Sequence, residues 1–290
     1  MVLRGEPDPH QVGAFLMLLR YRGEDADEIA GLVEAARNGV SHDLGVDLDW
    51  PSYGAGRSRG LPWFLLSALA LAHAGVSVLI HGSNEFSAGV GVPDGLAALG
   101  RRPAASVAEA ERMLARDRFA YLPLEVLSPP MLRLLRLRDL FGLRSPVNTV
   151  ARLLDPGAAR AGVDGVFHPA YIDLHLGVAE RLGRPRLLVL KGGGGEAERD
   201  PAKPRVAHVW DRERGRTELL LPAWNSPPGR AGRVDDPAPL AALWRREAEF
   251  PHAEAIVRAT VAMALVGFGR ACPAKADAAA LAIWAEREAD

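Results

Sequence analysis

The sequence predicts an α/β protein in which a small all-helical unit precedes a larger domain with a mainly parallel central sheet. Three observations carry this. The first forty residues place apolar side chains at helical spacing. Past them, short strand-like runs alternate with helical stretches, the grammar of a sheet covered by helices. A chain of 290 residues with 48% hydrophobic composition can also bury one large core or a core with a small satellite.

Taken in order, Gln11 to Tyr21 carries Val12, Phe15, Leu16 and Leu19, and Asp25 to Arg37 carries Ile29, Leu32 and Val33. Asp25 is placed to cap the second helix, with Glu28 three residues on completing a capping box. Both helices are too short to stand alone and need tertiary or dimer contacts. Leu61 to Ile80 is apolar enough to suggest a membrane span. Pro62, His73 and Gly75 interrupt it, and its last five residues turn β-branched, so a buried helix followed by a buried strand is expected and no membrane partner. Strands are predicted at Val76 to Ile80, Phe119 to Leu124, Gly165 to Phe167 and Arg186 to Lys191. Arg205 to Trp224 reads as an antiparallel hairpin around Asp211 to Arg216. A proline- and glycine-rich loop, Ser226 to Pro239, leads into two alanine-rich helices.

Formal charge of −1 excludes a whole-molecule field that attracts nucleic acid, so any anion site must be local. The cations are almost all arginine, with lysine only at Lys191, Lys203 and Lys275, which favours forked contacts to phosphate or carboxylate. Cys272 is the single cysteine; it excludes an internal disulfide and suits a reducing cytoplasm, the expected location. No zinc-finger, helix-turn-helix or Walker pattern is present.

Leu3-Arg4-Gly5-Glu6-Pro7, Gln11-Val12-Gly13-Ala14-Phe15-Leu16 and Arg20-Tyr21-Arg22-Gly23-Glu24 resemble the helical amino-terminal domain of glycosyltransferase family 3. That family includes anthranilate phosphoribosyltransferase and the pyrimidine nucleoside phosphorylases. The resemblance runs on through Ala74-Gly75-Val76, His81-Gly82, Leu96-Ala97-Ala98-Leu99-Gly100 and Gly142-Leu143-Arg144-Ser145-Pro146-Val147-Asn148, fading beyond about Gly195. It implies a helical domain over residues 1–45, joined by helices around 129–154, beside an α/β domain over 46–290. It further implies a ligand cleft between them and homodimers formed through the helical domains. Family members usually carry another helix before the segment that opens this chain, so an altered dimer surface is expected.

Where the family's glycine-rich diphosphate loop belongs, this chain has Ser52-Tyr53-Gly54-Ala55-Gly56-Arg57-Ser58-Arg59-Gly60. Gly54 and Gly56 can form an anion nest, to which Arg57 and Arg59 add charge. The family's Asn-x-Ser-Thr element falls on Pro62, Phe64 and Leu65, none of which donates a side-chain hydrogen bond. A diphosphate there would lose its hydration without replacement. The lysine before His81 and Gly82 is Ile80, and Asn84 follows closely. The family's magnesium-holding Asp-Glu pair falls on Ala197 and Glu198, after Lys191 and Gly192 to Gly195. Arg138 matches the arginine that meets the anthranilate carboxylate. From Arg133 to Arg144 four arginines, Arg133, Arg136, Arg138 and Arg144, face one aspartate.

A retained frame with lost enzyme signatures resembles a divergent second branch of the family, whose members lack the activity and bind nucleic acid. This implies a homodimer that binds DNA or RNA without sequence preference through Arg57, Arg59, Arg133, Arg136 and Arg144, with no catalytic residue and no cofactor. An anion site would draw on Gly54, Gly56, Arg57, Arg59, His81, Gly82, Asn84, Arg138, Lys191 and Gly192. The alternative is a transferase or phosphorylase acting on another phosphorylated sugar or nucleotide, held by Gly54, Gly56, Arg57, Lys191 and Arg138, and needing magnesium.

Overall fold

The structure is a computed structural model and describes residues 1–40, 42–54, 60–225, 229 and 235–287. Gly56, Arg57 and Arg59 lie outside the described residues.

In chain order the elements are α1 (Pro9–Arg22), α2 (Ala26–Arg37), β1 (Leu48–Ser52), α3 (Phe64–His73), β2 (Val78–Gly82), α4 (Val92–Ala98), α5 (Val107–Asp117), β3 (Phe119–Pro123), α6 (Leu124–Leu127), α7 (Pro129–Phe141), α8 (Val147–Arg152), β4 (Ala161–Val166), α9 (Ala170–Arg181), β5 (Arg186–Lys191), β6 (Arg205–Asp211), β7 (Gly215–Leu221), α10 (Ala238–Trp244), α11 (Pro251–Phe268) and α12 (Pro273–Ala285). The capping box forms as the spacing predicts: Glu28 N–H donates to the Asp25 carboxylate at 2.8 Å, and Asp25 N–H donates to Glu28 at 3.2 Å. The apolar run from Leu61 becomes α3 and β2. Among the described residues no helix is long and apolar enough to cross a membrane.

The strands form one sheet in the order β3-β2-β1-β4-β5-β6-β7. The first five are parallel, and the expected hairpin adds β6 and β7 antiparallel at one edge. β1 lies along the whole of β2 but pairs with β4 only at Leu48 and Asp49. Chain order reverses between β1 and β4, so their diverging carboxyl ends open a crevice where ligands bind in such sheets.

Alternation along the strands divides the core into two layers. Leu48, Trp50, Val78, Ile80 and Leu188 face α3, α11 and α12, where Trp50 stacks on Phe64 with ring centroids 5.9 Å apart. Leu79, Leu122, Leu187 and Val189 face the other side, in one cluster with Val12, Leu16, Ile29 and Val33 of the amino-terminal helices and Leu135 and Leu176. The short helices therefore obtain their stability from a layer shared with the sheet.

β1 escapes the sequence reading because Asp49 and Pro51 are residues that strands avoid. Pro51 sits past the point where β1 leaves β4, so the N–H it lacks is not needed on that side. Asp49 is buried and receives Arg184 Nη2 at 3.0 Å; Arg184 also lies 3.4 Å from Asp155, which Arg37 of α2 reaches at 3.5 Å. Burial alone would raise the Asp49 carboxyl, but His81 and Arg184 outweigh it and hold it below its usual range. At the sheet edges, Ala104 N–H bonds the Tyr121 carbonyl outside β3 at 2.9 Å, and β7 presents exposed Arg216 and Glu218.

Truncating the central stack is expected to be costly. Trp50→Ala or Phe64→Ala should each lower stability by about 3–5 kcal/mol, read from urea midpoints, while Arg133→Ala on the surface should change it by less than about 0.5 kcal/mol.

Candidate functional site

β1 delivers Tyr53 and Gly54 to the crevice. Gly54 has φ +54°, a left-handed conformation that costs a glycine little, and this aims its N–H at the Glu196 carboxylate, 2.8 Å away. Glu196 is 1% exposed. It gets there because the segment after β5 lies flat on the sheet end: a Cβ at Gly192 would meet the Glu196 carbonyl oxygen at 1.7 Å, and one at Gly165 of β4 would meet its carbonyl carbon at 2.1 Å. Gly192 and Gly165 are therefore packing requirements for seating Glu196, whereas a Cβ at Gly193 would meet nothing within 4 Å.

Arg152, at the end of α8, completes this buried centre. Its Nη1 lies 3.4 Å from Asp164 and 3.3 Å from the Gly165 carbonyl, its Nη2 lies 3.7 Å from Glu196, and its guanidinium sits 5.7 Å from the Tyr53 ring centroid. Arg152 Nη2 and Glu196 Oε2 are both buried without a hydrogen-bond partner. The amino end of α3 carries a similar contact. Phe64 N–H, at the amino end of α3, donates to Glu198 at 2.9 Å, so a carboxylate meets the positive end of that helix.

The remaining predicted residues are scattered by the fold. His81 is fully buried, with Nδ1 3.2 Å from the Tyr53 hydroxyl and Nε2 3.3 Å from Asp49. The Tyr53 hydroxyl donates to the Ala151 carbonyl at 2.9 Å, and burial pushes it well above the usual tyrosine range. Gly82 lies against Ser52, with no room for a Cβ. Asn84 donates to the Tyr121 hydroxyl at 3.1 Å. Lys191 is exposed at the end of β5, while Gly192 is buried beneath Glu196. Magnesium does not fit the pair position: Ala197 offers no ligand and Glu198 is engaged with Phe64. Among the described residues no group of three metal-binding side chains assembles.

Beside this centre opens a cleft of about 380 Å³ between α1, the α7–α8 hinge and the end of β4. Arg20, Arg138, Arg144 and Arg152 line it with Tyr53, Asn148, Thr149, Phe167, His168, Tyr171 and His175, and no aspartate or glutamate does so among the described residues. Arg20 donates to the Tyr171 hydroxyl, and Arg138 lies 5.4 Å from the Phe86 ring centroid. Burial, and then the charges of Arg138, Arg152 and Arg20, push the Arg144 guanidinium below its usual value. Arg133 is exposed; Arg136 is exposed but forked onto Glu85 at 2.7 and 3.1 Å.

Sequence reasoning gave no role to Arg20 or to the pair formed by His175, which lines the cleft, and Asp164, 2.5 Å from it. Arg20 stands inside a quoted family segment, which was a usable signal. His175 and Asp164 are eleven residues apart on a helix and a strand, and no spacing rule joins them.

Glu196→Ala should strip the Gly54 N–H of its acceptor and Arg152 of one of its two carboxylates, and cost about 3–5 kcal/mol, the usual penalty for breaking a buried pair. Denaturation with and without millimolar inorganic phosphate checks this: phosphate should recover more stability for E196A than for the native chain.

Comparison with known proteins follows the same geometry. Residues 1–39 match the helical bundle domain of the glycosyl transferase family, and residues 64–226 match its a/b domain. Curated relatives include the anthranilate phosphoribosyltransferase of Anaeromyxobacter sp. (strain Fw109-5), 33% identical over 193 residues that cover 66% of this chain and 57% of the relative. That of Anaeromyxobacter sp. (strain K) is 31% identical over 74% of this chain and 64% of the relative. The chain thus spans less than two thirds of the length of these relatives. Among solved structures, anthranilate phosphoribosyltransferase from Thermus thermophilus superposes with TM-score 0.82 at 26% identity, covering 99% of this chain and 89% of that one. The Saccharomyces cerevisiae enzyme in complex with PRPP and Mg, at 16% identity and TM-score 0.75, shares the fold over 98% of this chain and 86% of its own. Because the a/b domain match alone covers more than half of its residues, and the helical bundle precedes it, the chain belongs to glycosyl transferase family 3, with an anthranilate phosphoribosyltransferase-like fold.

Proposed function

We propose that the protein is a homodimer that binds nucleic acid without sequence preference and does not transfer a phosphoribosyl group. One observation carries the reading: the backbone donors of Gly54 and Phe64, placed where the family seats a diphosphate, are engaged by the chain's own Glu196 and Glu198. A sugar diphosphate entering there would displace two carboxylates and lie against Pro62, Phe64 and Leu65, losing hydration without gaining donors. Positive charge is present at the surface on Arg133 and in a cleft whose described lining holds no aspartate or glutamate, and the sequence carries two further arginines, Arg57 and Arg59. Arginines of this kind suit the repeating phosphates of a strand, and the resemblance to the nucleic-acid-binding branch points the same way. Arg136, held by Glu85, is a weaker contributor than its sequence position suggests.

Dimerisation is supported by α1, which turns Phe15, Leu18 and Tyr21 outward at 43%, 68% and 93% exposure. This apolar face continues toward the end of α7, where Gly13 lies against Phe141 and Leu140 is exposed.

Gel shifts across a salt series test the reading. Binding should weaken steeply with salt, and Arg57→Ala with Arg59→Ala should lower the log–log slope by about 2, one unit per lost phosphate contact. No shift even at low salt would remove the proposal. Calorimetric titration with phosphoribosyl diphosphate and magnesium should give no binding below about 1 mM; tighter binding would restore the transferase reading. Leu18→Glu should convert the dimer to a monomer in sedimentation, with unchanged circular dichroism.

A further inference from the structure

Two histidines line the cleft beside the buried centre, and the fold sets them on one face. Tyr171 N–H donates to the His168 carbonyl at 3.0 Å, so the turn that leads into α9 begins at His168. His168, Tyr171 and His175 all line the cleft, three and four residues apart, as neighbours on one helical face are. Seven helical residues rise about 10 Å, so the two imidazoles stand far enough apart for a phosphodiester to lie between them. Tyr171 comes between them in sequence and its hydroxyl receives Arg20, which brings a guanidinium to the same face. The cleft volume of about 380 Å³ admits one nucleotide and not a duplex.

The two rings differ in setting. His175 is 1% exposed, and its Nδ1 lies 2.5 Å from the Asp164 carboxylate of β4. A carboxylate only accepts, so Nδ1 carries the proton there and Nε2 is left with a lone pair that can take another. That is the setting of a general base. His168 is exposed, with its ring edge-on to Phe167 and the centroids 4.7 Å apart. Open to solvent, it can take up a proton and pass it on. Phe167, 48% exposed, offers an aromatic surface to a base.

RNA brings its own nucleophile, the 2′-hydroxyl, so a base, an acid and cations beside the phosphate are enough to cut it. We propose that the cleft cleaves single-stranded RNA by transesterification, with His175 as the base and His168 as the acid. His175 Nε2 takes the 2′-hydroxyl proton as that oxygen bonds to phosphorus. The bond from phosphorus to the 5′ oxygen breaks, and His168 protonates the departing oxygen. The products are a 2′,3′-cyclic phosphate and a 5′-hydroxyl. Loss of one proton to water from His175 and gain of one by His168 restore the starting state. Arg20 and Arg138, which line the same cleft, meet the negative charge that builds on the phosphate oxygens. Asp164 acts through His175 alone, as a positioning residue.

The inference rests on the nucleic-acid reading above, and the test separates the two. The full chain is incubated in EDTA with a fluorescently labelled RNA oligonucleotide and with the same strand built of 2′-deoxy sugars, and binding is read by anisotropy. The RNA should be cut to fragments with the mass of a 2′,3′-cyclic phosphate, while the deoxy strand should bind and stay whole. His168→Gln and His175→Gln, each checked by circular dichroism, should lower the cleavage rate about a hundredfold or more, the worth of a general acid or base. His168 lies at the surface, so its variant keeps the test open whatever the buried position tolerates. Asp164→Asn should lower the rate and move the acid side of the pH–rate profile to lower pH, because His175 gives up a proton more readily without the carboxylate. Equal cleavage by the native chain and both histidine variants, or bound RNA left intact, overturns the inference and leaves the nucleic-acid reading standing. No binding of either strand and no cleavage overturns both.

Discussion

The Glu196 carboxylate, held between the Gly54 N–H and the Arg152 guanidinium, ties together three segments that otherwise only meet at the sheet's end. It anchors the turn after β1, the glycine run after β5 and the last residue of α8 in one buried centre. A carboxylate that deep is tolerable only with compensating charge and donors, so each segment's position becomes a condition for the others. The divergence of β1 from β4 makes the space, and an acidic side chain from the chain itself takes it. The end of the sheet thereby keeps its shape with a buried carboxylate of the chain at its centre.

That internal neutralisation also sorts the arginines. Arg152 belongs to the buried centre, where Asp164 and Glu196 balance it, and Arg184 belongs to a second one with Asp49 and Asp155. Arg136 is balanced at the surface by Glu85. Arg20, Arg138 and Arg144 line a cleft with no aspartate or glutamate in its described lining, a local gathering of positive charge in a nearly neutral protein.

Features decided within a few residues were legible in the sequence. The Asp25–Glu28 capping box, the turn from α3 to β2 and the span of β5 all follow from local pattern, and the helical domain beside a parallel sheet follows from their succession. β1 was not legible because Asp49 is made tolerable by Arg184, 135 positions away. The seat of Glu196 was hidden for the same reason, since its donor Gly54 lies 142 positions earlier and the four glycines read equally well as a plain connection. Arg136 reads as a phosphate contact until Glu85, 51 positions before it, is seen beside it. Long-range charge pairing separated what was read from what was missed, and hydrophobic periodicity carries no information about it.

The sheet's two margins have a consequence for how copies can associate. An edge strand with bare backbone groups is a template for another strand, and association there tends to run on without limit. Here one margin already spends a carbonyl on Ala104, and the other holds out the charged pair Arg216 and Glu218. Open-ended pairing of sheets edge to edge is disfavoured at both sides.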